Sequence, residues 1–289
     1  MADYRKTLIV KPGAAVRLHD LDPDEHGGRA NGADVAEELA EAQRRIGDLQ
    51  LRLYAERKQS LLVVLQGLDA SGKDGVCRHA MSALDPEGTT VTAFKEPTKL
   101  DLAHDFLWRV HPHAPAVGEV AIFNRSHYED VLVVRVHNLV PEKTWARRYD
   151  LINDFERLLA SRRTKVIKFF LHISKEEQLS RFRQRLEDPT RNWKIAESDY
   201  LEREYWDDYA AAYEAVLEKC STADAPWYVI PSNHKWFRDL AVSHIVASTL
   251  EDMGPGYPAP TVDLGEIRRQ YHRAVAEARG EAPGKKGKR

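Results

Sequence analysis

The sequence predicts an α/β domain: a parallel sheet of five strands covered on both faces by helices, a three-layer α/β/α arrangement. Three observations carry that expectation. Short apolar runs alternate with helical stretches along most of the 289 residues. No segment repeats, and only the last few residues are low in complexity. Between one apolar run, LLVVLQ, and a helix-like stretch lies Gly67-Leu-Asp-Ala-Ser-Gly-Lys73, where a phosphate-binding loop must sit.

Taken in order, residues 1–34 are polar and contain Pro12, Gly13, Pro23, Gly27 and Gly28, which predicts an extended lead-in. From Ala33 to Arg57, Val35, Leu39, Ile46, Leu49 and Leu53 recur at helical spacing. The run at 61–66 is a short buried strand, and a helix follows Lys73. VTAF at 91–94 predicts a second strand, LDLAHDFLWRV at 100–110 a helix, and EVAIF at 119–123 a third strand ending at Asn124. After a mixed stretch to Val136 come a helix at 144–160 and the strand KVIKFFLHI at 165–173. Helical sequence covers 175–187 and 199–220, WYVIP at 227–231 is the last strand, and a helix spans 235–253. A further helix is expected beyond Pro258, ending in a disordered GKKGKR. These elements divide the chain into a lead-in (1–57), a core (58–258) and a C-terminal segment (259–289).

Composition narrows the function classes. A hydrophobic fraction of 43% suits a globular protein, and no apolar run approaches the ~20 residues of a membrane helix. The N-terminus lacks the apolar core of a secretory signal, and two cysteines are too few for a disulfide framework, so a cytoplasmic location is expected. A net charge of −2 implies no general attraction to nucleic acid or membranes, so any polyanion site must be local.

In the loop, Gly67 and Gly72 let backbone N–H groups, including those of Ala70 and Ser71, crowd around an anion, and the helix start adds partial positive charge. Lys73 supplies a mobile point charge for the outer phosphates. Asp74 stands where Ser or Thr ordinarily donates a hydroxyl to magnesium, and a second carboxylate, Asp69, lies inside the loop. Acids aimed at phosphates repel them unless a divalent cation or a substrate proton intervenes, so the pattern points to metal-assisted phosphoryl transfer.

A parallel sheet places its sites beyond the carboxyl ends of its strands. FNRSHYED, Phe123 to Asp130, falls at such an end: Asn124 is a neutral ligand, Arg125 suits a bidentate phosphate contact, and Glu129 or Asp130 suits magnesium or nucleotide. A surface turn with local ion pairs is the plain alternative. Further on, Arg181, Arg183, Arg185, Arg191 and Lys194 face only Glu187 and Asp188 in fourteen residues, five charges against two, a local +3. Arg181 and Arg185 share a helix face at i, i+4. Such a cluster is either a solvated basic helix or an arginine-bearing lid, and its place after the fourth strand favours a lid at about 175–200. His104, His111 and His113 lie on a proline-flanked stretch without cysteine and read as a stiff loop rather than a zinc site. The aromatic set at Tyr200, Tyr205, Trp206, Tyr209 and Tyr213 reads mainly as packing.

GLDASGKD, AHDFLWRVHPHAP, FNRSHYEDVLVVRVH, KFFLHISKEEQLSRFRQRLEDPTRNWK and APWYVIPSNHKWFRDLAV together resemble the polyphosphate kinase 2 family from about residue 30 to 255. The FNRSHYED form is similar to its class III type. The resemblance implies a P-loop kinase fold with a helical lid. It implies reversible transfer of the terminal phosphoryl of inorganic polyphosphate to AMP and ADP, with Mg2+ (or Mn2+) as cofactor and GMP and GDP open as further acceptors. By motif, Gly67 to Lys73 would hold the polyphosphate end, with Asp74 beside it, and Asp69 would bind magnesium or activate the acceptor. Arg125 and Glu129 would serve the phosphate and nucleotide site, with Asn124 and Asp130 beside them and Glu129 a second metal ligand. Arg181 and Arg185 would belong to the lid, Arg185 in a catalytic role. A homodimer or homotetramer is also implied. The rival expectations are an ATP-dependent small-molecule kinase of the same fold and a non-catalytic polyanion-binding protein.

Overall fold

The computed structural model describes residues 3–280. Five parallel strands form one sheet: β1 (Ser60–Gln66), β2 (Thr89–Ala93), β3 (Val120–Asn124), β4 (Thr164–His172) and β5 (Trp227–Pro231), in the order β2-β3-β1-β4-β5. The chain leaves β1 toward one edge and returns to build the other, so the strand order reverses at β1. Ligand crevices open at such a reversal, beyond the carboxyl ends.

Every β1 residue is buried, and its side chains alternate between two cores. Leu62 and Val64 join Phe123, Val166, Phe170 and Trp227 under helices α2 (Glu142–Ser161) and α4 (Trp206–Cys220); α3 (Lys175–Glu187) lies between these two in sequence. Leu61, Val63 and Leu65 join Ile122, Phe169 and Ile230 under α1 (Ala33–Glu56) and α5 (Lys235–Met253). Burying each such side chain stabilises by about 1.5–3 kcal/mol. A one-residue slip of β1 would exchange its two faces, so the register Leu62↔Ala121 and Leu62↔Val166 is firmly set.

The lead-in is extended where it meets the sheet. Val10 N–H donates to the Trp227 carbonyl and Val229 N–H to that of Leu8, so Leu8–Val10 covers the open edge of β5.

Three expectations need correction. The helix after Lys73 is short: an α turn, Lys73–Gly75, widens into a π turn, Val76–Ala80, closed by Met81 N–H on the Val76 carbonyl. The stretch 100–110 is helical only over Lys99–Leu102, which a Thr98–Asp101 capping box starts. Beyond it Asp105 accepts from Leu107 N–H, and such local side-chain bonds compete with a helical ladder. The stretch 199–220 is broken: Glu197–Leu201 and a 3-10 turn, Glu202–Tyr205, precede α4.

The chain divides after Gly256 into two units, and the lead-in and α1 belong to the first with the sheet. The second contains α6 (Leu264–Ala278), capped by Asp263. The GKKGKR tail expected to be disordered lies outside the described residues. Among those described, no helix is long and apolar enough to cross a membrane.

Candidate active site at the carboxyl ends of the strands

The chain turns sharply after β1. Gly67 has φ +150°, and a Cβ there would lie 2.7 Å from Ser71 Oγ and 2.8 Å from the Leu171 carbonyl oxygen, so only glycine fits. Gly72 has φ +110°, and a side chain there would collide with the Arg238 guanidinium. Ala70, between them, is held at φ +61°.

Lys73 Nζ donates to the carbonyls of Gly67 (2.5 Å) and Leu68 (3.2 Å). Burial, helped by nearby Arg125, pulls its pKa down from 10.5 to about 8, against the attraction of Asp69, Glu129 and Asp74. The loop is braced from α3: Gln178 donates to the Asp69 carbonyl, and Arg181 Nη1 to those of Ala70 and Ser71.

That contact changes the reading of Arg181. Its Nε bonds Glu177 and its Nη2 bonds the carbonyls of Ser232 and Asn233, so all five guanidinium N–H donors are engaged within the protein. Arg181 borders the cleft but keeps no donor for a phosphate; it shapes the loop. Arg185, one turn on, is different. It bonds the Lys194 carbonyl, lies 3.5 Å from Asp199 and faces the cleft.

The two loop carboxylates also diverge. Asp69 pairs with Arg125 at 2.7 Å. Asp74 accepts from Asn124 Nδ2 at 2.8 Å and lies 3.4 Å from Lys194 Nζ, tying the loop to the end of β3 and to the segment after α3. Burial opposes the charge on Asp74, but Asn124 and Lys194 outweigh it and hold the carboxyl below its usual range. Arg125 itself sits at φ +62°, an unusual backbone for a bulky residue at the rim of a cleft.

Glu129 and Asp130 part company as well. Burial pushes the Glu129 carboxyl up, against the pull of Arg125 and Lys73. Asp130 turns toward α2, pairing with Arg148 at 3.0 Å and with Arg109 at 3.8 Å, and burial pushes it up to about 6. Asp130 therefore holds the turn in place, and neither it nor Glu129 borders the cleft itself. Of the two acids, Glu129 is the one that faces the loop's charges.

A cleft of about 1110 Å³ opens over the loop, bordered by ten Lys and Arg against five Asp and Glu. The local excess of positive charge on a chain of net charge −2 is suited to a polyanion. Several cleft residues escaped the motif reading: Lys235, Arg238 and Asp239 at the start of α5, Arg78 after the loop, and Lys95 after β2. Arg238 lies against Gly72 and Gly75, fixed by two hydrogen bonds to Asp239 Oδ1. All but Arg78 follow strand ends, and that placement was the signal that could have found them.

The polyphosphate kinase 2 family model matches residues 29–256. An AMP/ADP-polyphosphate phosphotransferase of Meiothermus ruber is 49% identical over 256 residues, 88% of this chain and 96% of that protein. An ADP-polyphosphate phosphotransferase of Rhodopseudomonas palustris is 43% identical over 75% of this chain and 79% of its own length. The crystal structure of polyphosphate kinase 2 from Arthrobacter aurescens superposes with a TM-score of 0.89 at 39% identity, covering 94% of this chain and 97% of that one. With matches of that extent in both sequence and fold, the chain belongs to the polyphosphate kinase 2 family.

Proposed function

We propose that this protein transfers the terminal phosphoryl group of inorganic polyphosphate to AMP and to ADP, making ADP and ATP, and that the reaction runs in both directions. The observation that carries the reading is the cationic cleft over the Gly67–Lys73 loop, in a chain 49% identical to a relative named for both acceptors. A polyphosphate end enters the loop, where backbone N–H groups and Lys73 receive it. To do so Lys73 gives up its bonds to the Gly67 and Leu68 carbonyls. Arg125 and Arg185 neutralise charge that spreads over the transferred group, and Asp69 orients the acceptor phosphate through Arg125. The lid segment excludes water from the cleft.

Magnesium fits the donor set. Among the described residues no group of three or more His, Cys, Asp or Glu converges as a ready-made cage. Magnesium commonly keeps its waters and takes one or two carboxylates with substrate phosphates, and Asp69 and Glu129 offer hard oxygens within reach of each other's field. Held by Asp69 and Glu129, Mg2+ or Mn2+ would offset the negative charge of the phosphates. A cytoplasmic homodimer or homotetramer completes the proposal, and light scattering coupled to gel filtration tests the assembly.

The decisive experiment incubates purified protein with magnesium, AMP and polyphosphate and follows nucleotides by chromatography. ADP followed by ATP, both dependent on polyphosphate, is expected. ADP converted while AMP stays inert would remove the first acceptor, and ATP consumed with no use of polyphosphate would overturn the reading.

A further inference from the structure

Beneath the FNRSHYED turn lies a charged cluster that does not border the cleft. Lys168, in the middle of β4, is fully buried. Its three ammonium protons are all placed: Nζ donates to Glu156 Oε2 (2.5 Å), to the Cys220 carbonyl (2.6 Å) and to Tyr128 Oη (2.9 Å). Tyr128 Oη in turn donates to Glu156 Oε1 at 2.9 Å, and His127 Nε2 lies 3.3 Å from the same oxygen. Glu156 comes from α2, Cys220 ends α4, and His127 and Tyr128 belong to the turn after β3. The cluster thus joins a strand, two helices and the turn, and all of its side chains are buried.

A buried ion pair is a poor source of net stability, because desolvating two charges costs about what their attraction returns. What such a pair supplies is a unique arrangement, and here the arranged element is the turn. His127 and Tyr128 anchor to Glu156, and Asp130 anchors to Arg148 two turns earlier on the same helix. Ser126 accepts from both Gln66 and the Tyr128 N–H. With its neighbours pinned to the core, the turn keeps Glu129 within the field of Lys73 and Arg125, and it holds Arg125 at φ +62° against Asp69. A backbone of that kind persists only where its surroundings over-determine it.

We infer that Lys168 and Glu156 are positioning residues, which set the turn so that Arg125 and Glu129 meet the reacting phosphates. The inference rests on the phosphotransfer reading, and its test separates the two. In Lys168→Met/Glu156→Gln both charges leave together, so no unpaired charge stays buried; Tyr128→Phe removes a single hydroxyl from the same cluster. Hydrogen exchange of the amides at 124–131 and steady-state kinetics are measured for the wild type and both variants. Faster exchange confined to that turn is expected, with kcat down about tenfold or more in the double variant and about threefold in Tyr128→Phe, and KM for polyphosphate and nucleotide within threefold. Unchanged exchange overturns the inference, as does faster exchange with unchanged kcat or a loss confined to KM. Should the double variant not fold, Tyr128→Phe decides by the same outcomes. A wild type inactive with polyphosphate would defeat the phosphotransfer reading, while exchange at 124–131 would still report on the clamp.

Discussion

Lys73 is held in the folded protein at a pKa of about 8 against an ordinary 10.5, chiefly by burial. A depressed cationic pKa means that the unfolded chain binds the proton more tightly than the native one. Between pH 8 and 10.5 the unfolded state carries more protons, so stability rises with pH through that window. The full penalty for keeping the buried ammonium charged is about 3 kcal/mol at roughly 1.4 kcal/mol per pKa unit. Between pH 7 and pH 9 roughly 1 kcal/mol of it is relieved. Lys73→Met lacks the titrating group and keeps only the pH dependence of the rest of the chain. Urea unfolding of both proteins at several pH values isolates the effect as a double difference. The wild type should gain roughly 1 kcal/mol on the variant from pH 7 to 9. Parallel stability curves would refute the claim that the loop holds a destabilised cation.

Asp69→Asn should keep the fold and lower kcat by about 10²-fold or more, since the change removes the charge that orients Arg125 and leaves the shape; circular dichroism and steady-state kinetics check both halves. Arg185→Ala should lower kcat by about 10²-fold with little change in thermal midpoint. Arg181→Ala should instead lower the midpoint by several degrees, having removed bonds to four carbonyls of the loop and the β5 end, so one thermal scan of the pair separates charge clamp from loop brace. Polyphosphate affinity should fall linearly with log salt concentration, as it does for other polyanions, and a flat response would remove the cationic cleft as the capture surface.

The contrast between Arg181 and Arg185 shows where the sequence stops being legible. Both residues stand on one helix face, and the local charge count treats them alike. Only the distance to the loop carbonyls distinguishes them, and that distance depends on how α3 crosses the carboxyl end of the sheet. The five strands were legible because β1 is buried on both faces and reads as an unbroken apolar run, and because Gly67 and Gly72 punctuate it. The stretch at 100–110 misled because its apolar residues recur at helical spacing while Asp105 and Pro112 favour local turns. Arg238 was hidden for a related reason. It falls in a helix that is buried almost all round, where periodicity reports packing and gives no sign that one guanidinium lies against two glycines of the loop.

The two departures from the usual phosphate-loop pattern explain each other. Asp74 replaces a hydroxyl that would have served magnesium, and Asn124 replaces the acid expected at the end of the strand next to the loop. In the structure these residues touch: Asn124 donates to one oxygen of Asp74 while Lys194 lies near the other. Two carboxylates at that distance could not both ionise without a cation between them, and the neutral amide removes the conflict. An acid at position 74 is therefore compatible with this strand end because the residue there can donate. The same exchange makes this corner a tether that joins the loop, β3 and the segment around Lys194. That leaves Asp69 within the loop and Glu129 on the turn for the magnesium proposed above, and both lie in the field of Arg125 and Lys73.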